Sequence, residues 1–191
     1  MPNRPNILYI HSHDTGRYIQ PYGFQVPTPH LQKLAEEGVL FRQAFCAAPT
    51  CSPSRAAMLT GQSAHNSGML GLAHRGFSLK DVTQHLQFTL KKHGYFTILS
   101  GLQHITDFGK KEWEKLGYDT GLDEIEVEDE IGRSDRHSTT HLRAAKFLEG
   151  SPQEPFFLNV GFIETHRPFY DPDLDEIPYT QPPQPLPDVL Q

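Results

Sequence analysis

The chain has 191 residues, 37% of them hydrophobic and 21% charged, which places it among globular proteins and apart from disordered or fibrous ones. One domain is the expected count. A formal net charge of −6 leaves no support for a nucleic-acid groove or an anionic membrane surface, so an anionic substrate would have to be held by a few local cations or a metal.

The first apolar run, Asn6 to His11 (NILYIH), is short and rich in β-formers and predicts a buried strand whose end carries His11, Ser12, His13 and Asp14. Its apolar stretch is far shorter than a signal-peptide core or the roughly 20 residues of a membrane span, which points to a cytoplasmic chain with no membrane partner. Thr28-Pro29 has the chemistry of a helix start, with Leu31, Leu34 and Ala35 on one face and Gly38 at the end. A second helix is expected from Pro53 to Thr60, closed by Gly61. A third is expected from about Leu79 to His93, where Val82, Leu86 and Leu90 recur at helical spacing. Tyr95 to Ser100 (YFTILS) reads as a strand, Arg136 to Glu149 as a helix, and Pro155 to Phe162 (PFFLNVGF) as a third strand. Between them, the acid-rich Asp123 to Asp135 reads as a solvated excursion. Alternating strands and helices predict an α/β fold with a mostly parallel sheet covered on both faces. The tail from Asp171 to Gln191 is proline-dense and reads as an extended connector, leaving 1–170 as the folded portion.

In such sheets a site gathers beyond the carboxyl ends of the strands. Each strand here ends on unusual polar residues: His11 to Asp14, then Gln103-His104, then Glu164 to Arg167. The two cysteines, Cys46 and Cys51, make neither a disulfide framework nor a structural zinc site, and Cys46 reads as an ordinary thiol. Cys51 lies directly before the predicted helix, where unpaired helix N–H groups and the Arg55 guanidinium favour negative charge. His11 and His13, two apart on one strand, form a His-x-His pair able to bind zinc.

The stretch Cys51 to Gly61 (CSPSRAAMLTG) matches the signature Cys-x-Pro-Ser-Arg-x-x-x-Leu-Thr-Gly position by position, and the chain is therefore similar to formylglycine-dependent (type I) sulfatases. The segments RPNILYIHSHD, TPHLQKLAEEGVLFRQAFC, HNSGMLGL and PFFLNVGFIETHRPF resemble that family too, in particular its sulfamidase branch. The resemblance implies an alkaline-phosphatase-like α/β sandwich and a hydrolase of sulfate esters or sulfamates on sugar-type substrates. It implies that a separate formylglycine-generating enzyme oxidises Cys51 to formylglycine, whose hydrated aldehyde is the nucleophile. A divalent cation, calcium in most of the family, would act as Lewis acid and template. By position the resemblance makes Asp14, His13 and Cys51 metal ligands. It makes Arg55 a support of the nucleophile, His104 and His166 catalytic with His166 as the acid for the leaving group, and Glu164 and Arg167 substrate-binding.

Three departures from the family pattern bear on function. His13 replaces an aspartate, which suits manganese or zinc better than calcium. Leu102 stands where the family has a lysine on the sulfate, leaving Arg17, Arg75 or Arg167 as replacements. The strand bearing the family's remaining metal ligands is missing, so the sheet should be incomplete at the C-terminus. A phosphodiester or phosphonate monoester hydrolase and an inactive truncated module are the competing readings. His65 and His74, close to the nucleophile segment, are further candidates to line the pocket.

Overall fold

Four parallel strands in the order β1-β4-β2-β3 organise the computed structural model, which describes residues 4–106, 111–128 and 139–167. The strands are β1 (Ile7–His11), β2 (Phe96–Gly101), β3 (Thr120–Gly121) and β4 (Phe156–Gly161). The helices are α1 (Pro29–Glu37), α2 (Cys51–Thr60), α3 (Ala64–Ser67), α4 (Leu86–Lys92), α5 (Glu112–Lys115) and α6 (Thr140–Glu149). The chain divides into two compact units, one of Met1–His13 with Cys46–Ile163 and one of Asp14–Phe45 with Glu164–Gln191. The proline-dense tail lies outside the described residues, as does 129–135 of the acid-rich excursion.

The first unit holds the sheet. β4 is central and buried along its whole length, so its sequence reads as a continuous apolar run and not as an alternating one. Alternation in space sorts its residues onto two faces. Phe157 and Leu99 join Ala56 and Leu59 of α2, with Met69, Ile105, Leu116 and Tyr118, in one core cluster. Phe156, Leu158, Val160 and Ile98 join Ala144 of α6 and Leu122 in the other. β1 follows the same parity at the sheet edge: Ile7 and Tyr9 pack on the α2 side, while Leu8 and Ile10 stay 47% and 57% exposed.

The three longer strands form where their β-rich runs predict them. The helix expected from Arg136 to Glu149 is α6 from Thr140 onward, with 136–138 outside the described residues. Two further helices differ. The span expected to be one helix from Leu79 is broken: a 3-10 turn covers Val82–Gln84, and His85 is extended at φ −67°, ψ 140° before α4 begins. The Asp81 carboxylate accepts from the Thr83 N–H at 2.9 Å and starts that turn separately. The second difference is at α2, which begins at Cys51, two residues ahead of Pro53. Proline is tolerated within the first helical turn, where its missing N–H would have had no intrahelical partner. Gly61 then closes α2 in the left-handed region at φ 68°, donating to Ala57 O.

The ends of three strands meet at Gly161. Leu102 donates to the Gly161 carbonyl at 2.8 Å and Phe162 to His11 O at 2.9 Å. A Cβ at Gly161 would overlap the Leu102 carbonyl oxygen and lie 2.7 Å from His11 Cε1, so only glycine fits.

In the second unit α1 forms where predicted, although none of its residues is buried. Its Thr28 hydroxyl makes no cap and instead accepts from the Gln20 N–H at 3.1 Å. Among the described residues no helix is long and apolar enough to cross a membrane.

Candidate active site

Cys51 is the first residue of α2, with Thr50 extended before it at φ −116°, ψ 143°. Its side chain therefore stands among main-chain N–H groups that lack helical acceptors. The helix start is tied down from the side, since the Ser52 hydroxyl accepts from the Ala73 N–H at 3.1 Å. Arg55 falls one turn along α2 from Cys51, on the same face.

Arg55 is held by the residues that follow and end β1. Its Nη1 is 2.5 Å from His11 Nδ1, and its Nη2 lies 2.8 Å from His13 Nδ1 and 3.1 Å from His13 Nε2. A guanidinium only donates, so His11 Nδ1 must be the acceptor and Nε2 must carry the ring proton. That proton is given to Asn159 Oδ1 at 2.9 Å, and Asn159 Nδ2 in turn donates to the Tyr118 hydroxyl at 2.7 Å. Each partner's orientation is fixed by the next, from Tyr118 to Arg55. Burial pushes the His11 pKa down to about 3, helped by the Arg55 charge, so the ring stays neutral and able to accept. Burial likewise raises the Tyr118 phenol, keeping it protonated.

His104 is 5% exposed and adopts a left-handed backbone at φ 53°. The turn that presents it is built by Gln103, whose Oε1 accepts from the N–H groups of Ile105 at 2.5 Å and Thr106 at 3.1 Å. The His104 ring lies 5.8 Å from that of His13 and is stacked at 5.8 Å on His74. One nitrogen of His13, Cys51 Sγ and one nitrogen of His104 all lie within 4.8 Å of one another. Among the described residues this is the one His, Cys and carboxylate group so placed. Two imidazoles and a thiol suit a borderline d-block ion and offer calcium none of the oxygens it binds.

The remaining expected residues belong to the second unit. There His166 Nε2 is 4.0 Å from Asp14 Oδ2, and His166 Nδ1 donates to Arg167 O at 2.6 Å. Asp14 and Arg167 are exposed, and Glu164 is half-buried. Of the arginines considered as replacements for the absent lysine, Arg17 lies over the Phe24 ring at 5.9 Å and Arg75 is exposed. Leu102 is buried. His65 is exposed, whereas His74 reaches His104 by stacking. Cys46 is an exposed thiol.

Sequence reasoning missed the support behind Arg55. The sequence offers His11 as a polar strand end and half of a His-x-His pair, whereas in the structure it carries the hydrogen-bond chain from Asn159 to Arg55. The available signal was the single amide in the apolar run PFFLNVGF, since a buried Asn requires partners.

A family model described as Sulfatase matches residues 5–184. The chain belongs to the sulfatase family. It is 34% identical over 144 residues to human N-sulphoglucosamine sulphohydrolase, covering 74% of this chain and 28% of that protein. With mouse steryl-sulfatase it shares 40% identity over 116 residues, 54% of this chain and 18% of that one. The chain thus spans only a minor part of the length of these relatives. Among solved structures, one of a complex with D-glucosamine-2-N,6-O-disulfate superposes with a TM-score of 0.66 at 23% identity, covering 86% of this chain and 35% of that one. Phosphonate monoester hydrolase of Agrobacterium radiobacter gives 0.62 at 23% identity, covering 90% and 43%. At that identity both likenesses concern the fold alone, which is the mixed α/β, alkaline-phosphatase-like one.

Proposed function

We propose that the chain is the nucleophile-bearing portion of a sulfuric ester or sulfamate hydrolase acting on a sulfated sugar, with Cys51 converted to formylglycine by a separate generating enzyme. Sulfatases generally use a metal and a formylglycine, and the latter supplies a hydrated aldehyde able to attack sulfur and then release sulfate. The observation that carries the reading is the placement of Cys51 at the first position of α2, with Arg55 held on the same face by the His11 and Asn159 chain.

The residues of the first unit have clear tasks under this reading. The open N–H groups of α2 and the Arg55 guanidinium stabilise negative charge that develops beside position 51. His11, kept neutral, prevents Arg55 from swinging away. His104, buried and fixed by its turn, is the group to orient or accept a hydroxyl proton at position 51. His166 is proposed as the acid for the leaving group, with Asp14 a metal ligand beside it and Glu164 and Arg167 on the substrate. N-Sulfated glucosamine is the proposed substrate class, by analogy with the human N-sulphoglucosamine sulphohydrolase.

Mass spectrometry of the Cys51 peptide from the native host tests the proposal. Conversion lowers the mass and creates a carbonyl that hydrazides capture; an unmodified thiol there would defeat it. The imidazole at position 13 favours a second reading, a phosphodiester or phosphonate monoester hydrolase using manganese or zinc. Turnover of aryl sulfate against aryl phosphodiester, each with Ca²⁺ and Mn²⁺, separates the two. Absence of turnover on either substrate by the aldehyde form would instead favour an inactive module.

A further inference from the structure

The grouping at the start of α2 is unusual for what it contains before any conversion. His13 is 2% exposed and His104 5% exposed, and Cys51 is half-buried beside them. The three candidate donor atoms lie within 4.8 Å of one another. A tetrahedral zinc-class ion with bonds of about 2.0 to 2.3 Å sets its ligands about 3.5 Å apart, so side-chain tips need to close by about 1 Å.

The second observation is the seating of His13. Its Nδ1 lies 2.8 Å from an acceptor, the Phe162 carbonyl oxygen, and 2.8 Å from a donor, Arg55 Nη2, and the tautomer that serves the carbonyl leaves the lone pair on Nε2. A histidine whose one nitrogen donates to a backbone carbonyl while the other is presented to a cluster is the usual arrangement of a metal-ligating imidazole. The third observation is Arg55. Its Nη2 lies 2.8 Å from His13 Nδ1 and 3.1 Å from Nε2, so in the tautomer protonated at Nδ1 a positive donor faces the lone pair that a cation would use. Arg55 also has His11 Nδ1 at 2.5 Å and Ser12 O at 3.4 Å, and these can hold it when an ion takes over His13 Nε2. A Cys51 thiolate supplies the negative charge that a dication beside Arg55 requires.

We propose that in the unconverted protein His13 Nε2, Cys51 Sγ and a ring nitrogen of His104 bind one zinc-class d-block dication, and that this state excludes conversion of Cys51. The sulfur that binds the ion is the atom conversion removes, so a chain is either a metal thiolate or an aldehyde. The proposal does not rest on turnover: the sulfatase reading needs the thiol consumed, and this one needs it intact.

The test uses the 191-residue chain with Cys51 verified as a thiol by intact mass. Titration with Co²⁺ should give a near-ultraviolet thiolate-to-metal charge-transfer band and strong visible bands of a four-coordinate ion, saturating at one equivalent. Zn²⁺ should bleach both, and excess Ca²⁺ should change neither. Cys51→Ala should lose the charge-transfer band and Cys46→Ala should keep it, while His104→Ala should weaken Co²⁺ binding by at least ~10-fold. Arg55→Gln should tighten it several-fold. No charge-transfer band in the unsubstituted chain, or a band that survives Cys51→Ala, overturns the proposal. Should a ligand variant fail to fold, alkylation of the unsubstituted chain gives the same decision. Zn²⁺ should slow iodoacetamide at Cys51 by at least ~10-fold and leave exposed Cys46 unaffected; equal rates with and without Zn²⁺ overturn it. Native-host protein carrying the aldehyde and cleaving aryl sulfate, beside a thiol form with no such band, would keep the sulfatase reading and end this one.

Discussion

The two faces of the sheet use the same strands for different ends. On the α6 side, Phe156, Leu158, Val160 and Ile98 close an almost wholly apolar cluster, with Ser100 Oγ donating to Thr140 O at 3.0 Å as a polar tie. On the α2 side the strands contribute Asn159, and β1 contributes His11 in register beyond it, so the apolar cluster ends in a hydrogen-bonded chain reaching Arg55. Both faces carry core, and the α2 face also aims a cation. In β4, Leu158 and Asn159 stand one position apart and serve opposite purposes, so single substitutions can separate stability from chemistry.

The largest effect should come from the chemical face. Under the proposed sulfatase reading, Arg55→Ala in aldehyde-bearing protein should lower kcat/KM by at least ~10³-fold with little change in denaturation midpoint, because a preorganised charge is removed and no core is emptied. Leu158→Ala should do the reverse, costing about 3 kcal/mol in urea unfolding while turnover per folded molecule stays within about 2-fold. If Leu158→Ala reduced turnover as severely as Arg55→Ala, the division between faces would break. Asn159→Leu should cost about 2 kcal/mol, since it strands the His11 N–H and the Tyr118 hydroxyl in the interior. It should also lower activity, which Leu158→Ala should not.

A pH titration sharpens the comparison further. His85 is buried and His11 half-buried, and each pKa is pushed from 6.5 down to about 3, loss of solvent being the main cause. The unfolded chain therefore binds more protons than the folded one between those values, and stability should fall as pH drops from 6.5 toward 3. Replacing His85 with Asn should remove about one proton's worth of that slope, measured from urea midpoints across the range. Smallest is Ser100→Ala on the α6 face, expected to cost about 1 kcal/mol with turnover unchanged.

Much of this was readable from residue order. β-Rich runs located the three main strands because central parallel strands are buried on both sides and so need no alternation. The Cys51 to Gly61 signature placed Cys51 and Arg55 together at one helix start, and α2 begins there. The helix expected through Leu79 to His93 was misread because Val82, Leu86 and Leu90 keep helical spacing across a 3-10 turn and an extended His85. Local capping by Asp81 decided the matter there, and periodicity does not register it. The support behind Arg55 was illegible for a different reason. His11 and Asn159 are 148 positions apart, and only the parallel register of β1 against β4 makes them neighbours. His104 and His74 likewise come together because Ser52 pins the Ala73 turn onto α2.

The crowding at Gly161 has a consequence for motion. His11 and the turn leading to His104 are fastened where β1, β2 and β4 end, at a spot without room for one methyl group. Such a centre cannot loosen by fraying of a surface loop. Amide hydrogens of Leu102 and Phe162 should therefore exchange with solvent only through the cooperative opening that releases the strands themselves, making the carboxyl end of the sheet among its slowest-breathing parts.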